Sequence, residues 1–257
     1  MGLGKAKIYT VKVMKMDRIA LLPIRGMIVS EGVSTFSPTR TTSSIEIVRL
    51  LNEMKKNKRV KALILEINSP GGNPFPCKEI AEAVKGIGRP TVAWVRDTAA
   101  SGGYWIASAA DAVVADALSV IGSVGVASLR PDFSELLKKI GIDVNMITSG
   151  IEKRFGFPFM APTEEEKRTT EEEIKVIQEV FLGEIRKNRN LSDEVIEQIS
   201  SGRTYFGEEA RKMGLVDELG GKEKALEIAA KKAGLKAYKV LDYTRHLHKR
   251  GLLSRLF

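Results

Sequence analysis

Apolar residues crowd into short runs in the first half of the chain: Arg18–Ile24, Val60–Ile67 and Thr91–Arg96. The middle run, VKALILEI, is nearly continuous, the mark of a strand covered on both faces in a parallel sheet. The third, opened by Pro90, is β-branched and aromatic, which also reads as a buried strand. Between the first two, the apolar positions spread to a helical period. Ile45, Ile47, Val48, Leu50, Leu51 and Met54 follow a capping Thr42 or Ser43, with Glu46 early and Lys55 and Lys56 late, as the helix dipole prefers. A second helix is expected from about Pro76 to Val84. A third, from Tyr104 to Ala110, carries no charge and is expected to be buried. Strand, helix, strand, helix is the order of an α/β fold. Glycine-ended loops, Asn68–Gly72 and Asp97–Gly103, follow the second and third strands, and a loosely alternating stretch, Lys5–Lys15, reads as an edge strand ahead of them all.

Past Asp111 the pattern is more broken. It predicts a short strand at Ala112–Ala115, a glycine-punctuated segment Ile121–Val126, a helix around Phe133–Ile140 and a strand at Val144–Thr148. Glu164–Asn188 is a long amphipathic helix, acidic at its start, whose stripe is Ile174, Ile177, Val180, Phe181 and Ile185. Shorter helices at Ser192–Ile199, Gly207–Met213 and Lys222–Ala233 and a late strand at Tyr238–Asp242 complete the series. No repeat or low-complexity linker divides the chain, so residues 1–257 are expected to form a single domain with its core over 18–243. Residues 163–200 are expected to be a helical extension serving as an oligomerisation arm, and 244–257 a basic, apolar tail. In that tail Leu252, Leu253, Leu256 and Phe257 stand at helical spacing among Arg245, Lys249, Arg250 and Arg255, a pattern suited to an anionic membrane surface, with a disordered tail as the alternative.

Composition narrows the picture. With 257 residues and 43% apolar content the chain is long enough for a substantial core. The formal charge of +9 is spread along the sequence, without zinc-finger spacing or an aromatic-basic signature, which argues against nucleic acid and for a lysine-rich exterior or an anionic membrane surface. A single cysteine, Cys77, excludes a disulfide framework and a multi-cysteine metal site. No run reaches the roughly 18 to 20 apolar residues that a spanning helix needs, and the start lacks a signal-peptide core, so the chain as given reads as soluble.

Chemistry enters at the small-residue stretch AASGGYW. A hydroxyl at Ser101, between a strand and the first turn of a buried helix, meets free backbone N–H groups and the positive end of the helix, so it is a candidate nucleophile; the plainer alternative is that Ser101 caps the helix. The only histidines, His246 and His248, lie in the basic tail, which makes a Ser-His-Asp triad a poor fit. A lysine whose charge is disfavoured by burial can replace the imidazole, and Lys153, in the glycine- and aromatic-rich SGIEKRFGFPF, is one among many lysines that could do so. Gly71 and Gly72 can turn backbone N–H groups toward a ligand oxygen, although a plain turn uses the same residues. Without a histidine nearby, Cys77 reads as packing.

Taken in order, SPGG, AASGGYW, IGSVGV, SGIEK and GRTYFGEEARKMGLVDELGG resemble the signal peptide peptidase A family of serine peptidases, family S49, over roughly Arg18 to Tyr243. The resemblance implies the ClpP/crotonase-like spiral of βαβ units with a helical extension. It implies Ser101 as nucleophile, Lys153 as general base in a Ser-Lys dyad, Ser123 as the hydroxyl that orients the lysine, and Gly72 with Gly71 as the oxyanion site, with neither metal nor cofactor. It also implies extended apolar peptides, such as cleaved signal peptides, as substrates, and a homo-oligomer whose active sites are shared between protomers. The sequence departs from the family in flanking Lys153 with Glu152 and Arg154, whose charges act on the lysine in opposite directions. Competing readings are an acyl-CoA hydratase or isomerase on the same spiral, working through Asp97, Asp111 or Asp116, a catalytically silent scaffold, and a membrane-operon Ser-Lys protease with narrower substrates.

Overall fold

The computed structural model describes residues 16–31 and 41–244. The expected edge strand at Lys5–Lys15 and the tail from Arg245 onward lie outside them. The first half of the chain builds β1 (Arg18–Val29), β2 (Thr41–Ser43), α1 (Ser44–Lys56), β3 (Val60–Gly72), α2 (Pro74–Lys85), β4 (Thr91–Ala100) and α3 (Gly102–Ser108). The second half adds β5 (Val113–Ala115), β6 (Val120–Gly122), α4 (Ser134–Lys139), a 3₁₀ turn (Ile151–Arg154), α5 (Glu164–Arg189), α6 (Asp193–Ser200), β7 (Thr204–Phe206), α7 (Gly207–Lys212), β8 (Glu218–Leu219), α8 (Lys222–Lys232) and β9 (Lys239–Asp242).

The sheet runs β2-β1-β3-β4-β5-β8, with β9 on β1 and β6 on β4, and all of these pairs are parallel. Among the described strands only β7 runs antiparallel, against β6. Consecutive βαβ units produce this arrangement, and the near-continuous apolar runs follow from it. Alternate residues of each strand serve two cores. Leu22, Leu63, Leu65 and Val95 face α1, α2 and α3, while Leu21, Ile64, Val92 and Val114 face Ala225 and Ala229 of α8.

The long strands continue further than their apolar pattern. β1, β3 and β4 run past Ile24, Ile67 and Arg96 to Val29, Gly72 and Ala100, and the register shifts where each changes character, between Arg25 and Met27 and between Ile67 and Ser69. Beyond these bulges the strands form a second tier: Gly71 and Gly72 pair Met27 and Ile28, Ser69 pairs Ala99, and Thr98–Ala100 pair Val120–Gly122. The segments expected as glycine loops are therefore largely strand. Small side chains let the backbones approach, and the bulges re-aim them at the strand ends where the helices begin.

The strand expected at Val144–Thr148 is absent. That stretch has no regular structure and pairs with none of the described strands, with Val144 40% and Ile147 92% exposed, so its β-branched residues have no buried face to fill. It belongs to an arm, residues 130–160, that also holds α4 and the 3₁₀ turn. The long helix α5 appears where expected, yet only Phe181 and Ile185 of its stripe are buried, and Val180 is 42% exposed.

Candidate active site

Ser101 stands at the corner between β4 and α3 with φ 51° and ψ −126°, a left-hand conformation that costs a non-glycine residue on the order of 1–3 kcal/mol. Backbone bonds hold it there: its N–H donates to Gly122 O at 2.8 Å, and its carbonyl accepts from the N–H of Tyr104 at 2.9 Å. The side chain makes no cap bond to α3. The capping alternative is thus set aside, and the hydroxyl is not used by the helix.

Ser123 repeats this geometry one strand over. It follows β6 as Ser101 follows β4, also has φ 51°, and its N–H donates to Arg203 O at 2.9 Å. Because Ala100 and Gly122 are register partners, the two serines emerge from adjacent strand ends.

Glycines close the other side. A Cβ on Gly71 (φ 108°) would lie 2.8 Å from both Gly102 N and Ser101 Cβ, so the end of β3 abuts the serine corner. A Cβ on Gly72 would lie 2.0 Å from Ile28 O. Gly102 opens α3, so its N–H has no acceptor within the helix, and the Gly72 N lies close to the same residue. The sequence reading missed Gly102 as an individual donor, although its place directly after the serine at a helix start was the available signal. Beneath it Cys77 is fully buried, its Sγ only 2.2 Å from where a Gly102 Cβ would be. Burial pushes the Cys77 thiol up to about 12. Iodoacetamide is therefore expected to leave the native protein unmodified at neutral pH and to alkylate it only after unfolding, as measured by intact mass.

Ser101, Gly102, Gly72 and Ser123 line one groove of about 750 Å³, walled by Trp105, Val126, Ile174 and Phe181 and containing no charged side chain. Trp105 and Phe181 stack at 4.4 Å, and Trp105 Nε1 donates to Glu184 Oε2 at 2.8 Å, which docks α5 onto α3 as the groove's wall. The contribution of α5 was not legible as a site feature, because its stripe reads equally as core.

Lys153 is not in this groove. It sits on the 3₁₀ turn of the arm, exposed to solvent. The carboxylates of the hydratase reading are also elsewhere: Asp111 accepts from Thr91, Asp116 accepts from the N–H of Leu118, and Asp97 is exposed. No helix of the described residues is long and apolar enough to cross a membrane.

A strained serine between a parallel strand and a buried helix, facing a glycine-edged neighbour strand, places the chain in the Clp protease-like fold class, and the sequence model of the Clp proteases matches residues 20–119. The chain belongs to peptidase family S49, whose model matches residues 83–236. It is 34% identical over 198 residues to a putative protease of Methanocaldococcus jannaschii, covering 76% of this chain and 64% of the relative. It is 31% identical over 229 residues to a putative signal peptide peptidase SppA of Enterococcus faecium, covering 88% and 67%. Protease 4 of Haemophilus influenzae matches at 32% over 218 residues, covering 83% of this chain and only 34% of that protein. Among solved structures, a membrane-bound stomatin-specific protease with a lysine-to-alanine substitution, in complex with a substrate peptide, superposes with a TM-score of 0.57 at 15% identity, over 89% of this chain and 93% of that one.

Proposed function

We propose that the chain is a serine endopeptidase that hydrolyses extended, uncharged peptides through a Ser101–Lys153 dyad. The observation that carries this reading is the Ser101 corner: a strained serine whose hydroxyl caps nothing, opening on an uncharged groove beside Ser123 and the Gly102 N–H. Neutral Lys153 takes the Ser101 Oγ proton as Oγ bonds to the peptide carbonyl carbon. The oxyanion is met by backbone N–H groups of Gly72 and Gly102, with the bare Gly71 letting the strand end come close. Lys153 then returns the proton to the departing amine, and water releases the acyl group. Ser123 orients the lysine. The uncharged groove, with Trp105, Val126, Ile174 and Phe181 on its wall, suits uncharged segments of the kind found in signal peptides, and the name of the Enterococcus relative agrees with that substrate class.

Because Lys153 does not line its own chain's groove, we place it in the site of a second copy. The arm that bears it displays Ile140, Ile147 and Ile151 at 61%, 92% and 67% exposure, an apolar surface suited to a neighbouring protomer. The test is a pH profile of turnover on an apolar peptide, alongside labelling of Ser101 by a serine-directed phosphonate. Only an unprotonated lysine accepts the serine proton, so activity is expected to climb from neutral into alkaline pH and to vanish in acid. A flat profile, or an unlabelled serine, would sink the mechanism.

A further inference from the structure

The arm carrying Lys153 is pinned at its base by a buried ion pair outside the groove. Glu166, in the first turn of α5, is 4% exposed. Its Oε1 accepts from Arg130 Nη1 and, at 2.6 Å, from the N–H of Gly156. Arg130 in turn donates through Nη2 to Phe157 O and, at 2.7 Å, to Met160 O. One carboxylate and one guanidinium thus tie the outgoing limb of the arm, its returning limb and the start of α5 to a single point. The turn bearing Lys153 ends at Arg154, two residues before the Gly156 that Glu166 holds, and Gly156 itself has φ +83°.

We propose that Glu166 and Arg130 form a latch that sets where the arm presents Lys153, which makes both of them positioning residues for the base. This rests on the reading of Lys153 as that base. The pair is incompletely satisfied. Glu166 Oε2, Arg130 Nε and Arg154 Nε are buried without partners, three of the five such atoms among the described residues. A buried pair kept only for stability is expected to have its remaining lone pairs and protons satisfied, since each orphan costs free energy. Here the satisfied bonds are those that fix the two limbs of the arm. The rest of the arm is open: the nearest space to a Cβ on Gly150 or Gly156 is empty, and Lys153 is exposed. The limbs are also joined by the Phe133 N–H, which donates to Pro158 O at 2.7 Å, but that bond lies on the far side of Gly156 from Lys153. A small rotation at Gly156 is therefore still carried to the lysine, and a displacement of about 1 Å at a reacting group can lower turnover about a hundredfold.

Two substitutions separate positioning from simple support. Glu166→Gln keeps the volume and an acceptor for the Gly156 N–H but removes the charge that holds Arg130. Gly156→Ala leaves the buried pair intact and meets no atom within 4 Å, yet resists the positive φ that sets the turn. Both variants are measured on an apolar peptide, with assembly size taken from light scattering and with turnover normalised to the serines titrated by phosphonate. The expected result for each is a kcat lower by about tenfold to a hundredfold with KM unchanged, because the groove residues are untouched. Lys153→Ala is run beside them. If it is dead while both latch variants turn over like the wild type, the latch is wrong and the dyad stands. If Lys153→Ala keeps wild-type turnover, the base assignment falls and the latch falls with it. A loss of activity in the latch variants that is fully accounted for by fewer titratable serines or by dissociated protein also overturns the positioning role, since it reports support alone. Should Glu166→Gln fail to fold, Gly156→Ala decides.

Discussion

Mixing Ser101→Ala protein with Lys153→Ala protein, under conditions that exchange subunits, is expected to restore activity that neither has alone. Each variant by itself should lose about 10⁴-fold or more in kcat, as removal of a nucleophile or its base does elsewhere. In a random mixture an intact site needs its serine from one kind of subunit and its lysine from the other. About a quarter of the sites in a closed ring meet both conditions, so about a quarter of the wild-type turnover per protomer should return. The expectation follows from placement. Ser101 and Ser123 line the groove, whereas Lys153 is exposed on an arm that, among the described residues, leaves Ile140, Ile147 and Ile151 exposed. If exchange is verified by mass-tagged subunits and activity remains at background, the serine and lysine act within one chain, and the arm must fold back over its own groove.

How much of this was legible in the sequence depends on what each segment packs against. The strands β3 and β4 were plain, because burial on both faces leaves no polar position to confuse the period. Their ends were hidden. Asn68–Gly72 and Asp97–Gly103 read as loops because glycine and proline carry turn signals, yet here Asn68–Gly72 and Asp97–Ala100 are strand, their small side chains serving close backbone pairing in a second tier. The opposite error occurred at Val144–Thr148, where β-branched residues suggested a strand although they pair with none of the described strands. The same limit applies to the site. Ser101 could be picked out because its chemistry is local, a hydroxyl at a strand-to-helix junction. Trp105, Ile174 and Phe181 come from two helices 69 or more residues apart in the chain for Trp105 and Ile174, and only their docking makes them a wall. Lys153 could be named from the resemblance, but its distance from the groove could not be read from spacing at all.

Replacing Gly102 with alanine should damage the enzyme more than its single added methyl suggests. The new Cβ would lie 2.2 Å from Cys77 Sγ and 3.0 Å from Cys77 Cβ. Both residues are fully enclosed between α2 and α3, so the thiol has no free space to rotate into and the corner itself must move. Overpacking of this kind costs about 1–3 kcal/mol of stability, read as a lower midpoint in urea. The larger effect is on catalysis. Movement of the corner takes the Gly102 N–H and the Ser101 hydroxyl off their common target, and loss of one oxyanion donor lowers kcat about 10²–10³-fold. Cys77→Ala removes the offending sulfur, so the double variant Gly102→Ala/Cys77→Ala is expected to recover part of both losses. Cys77→Ala alone should keep near-normal turnover, because the buried thiol takes no part in the chemistry. A Gly102→Ala enzyme with unchanged kcat would show that the corner yields without cost, and would remove the Gly102 N–H from the oxyanion site. Equal activity of the single and double variants would instead place the damage somewhere other than the contact with Cys77.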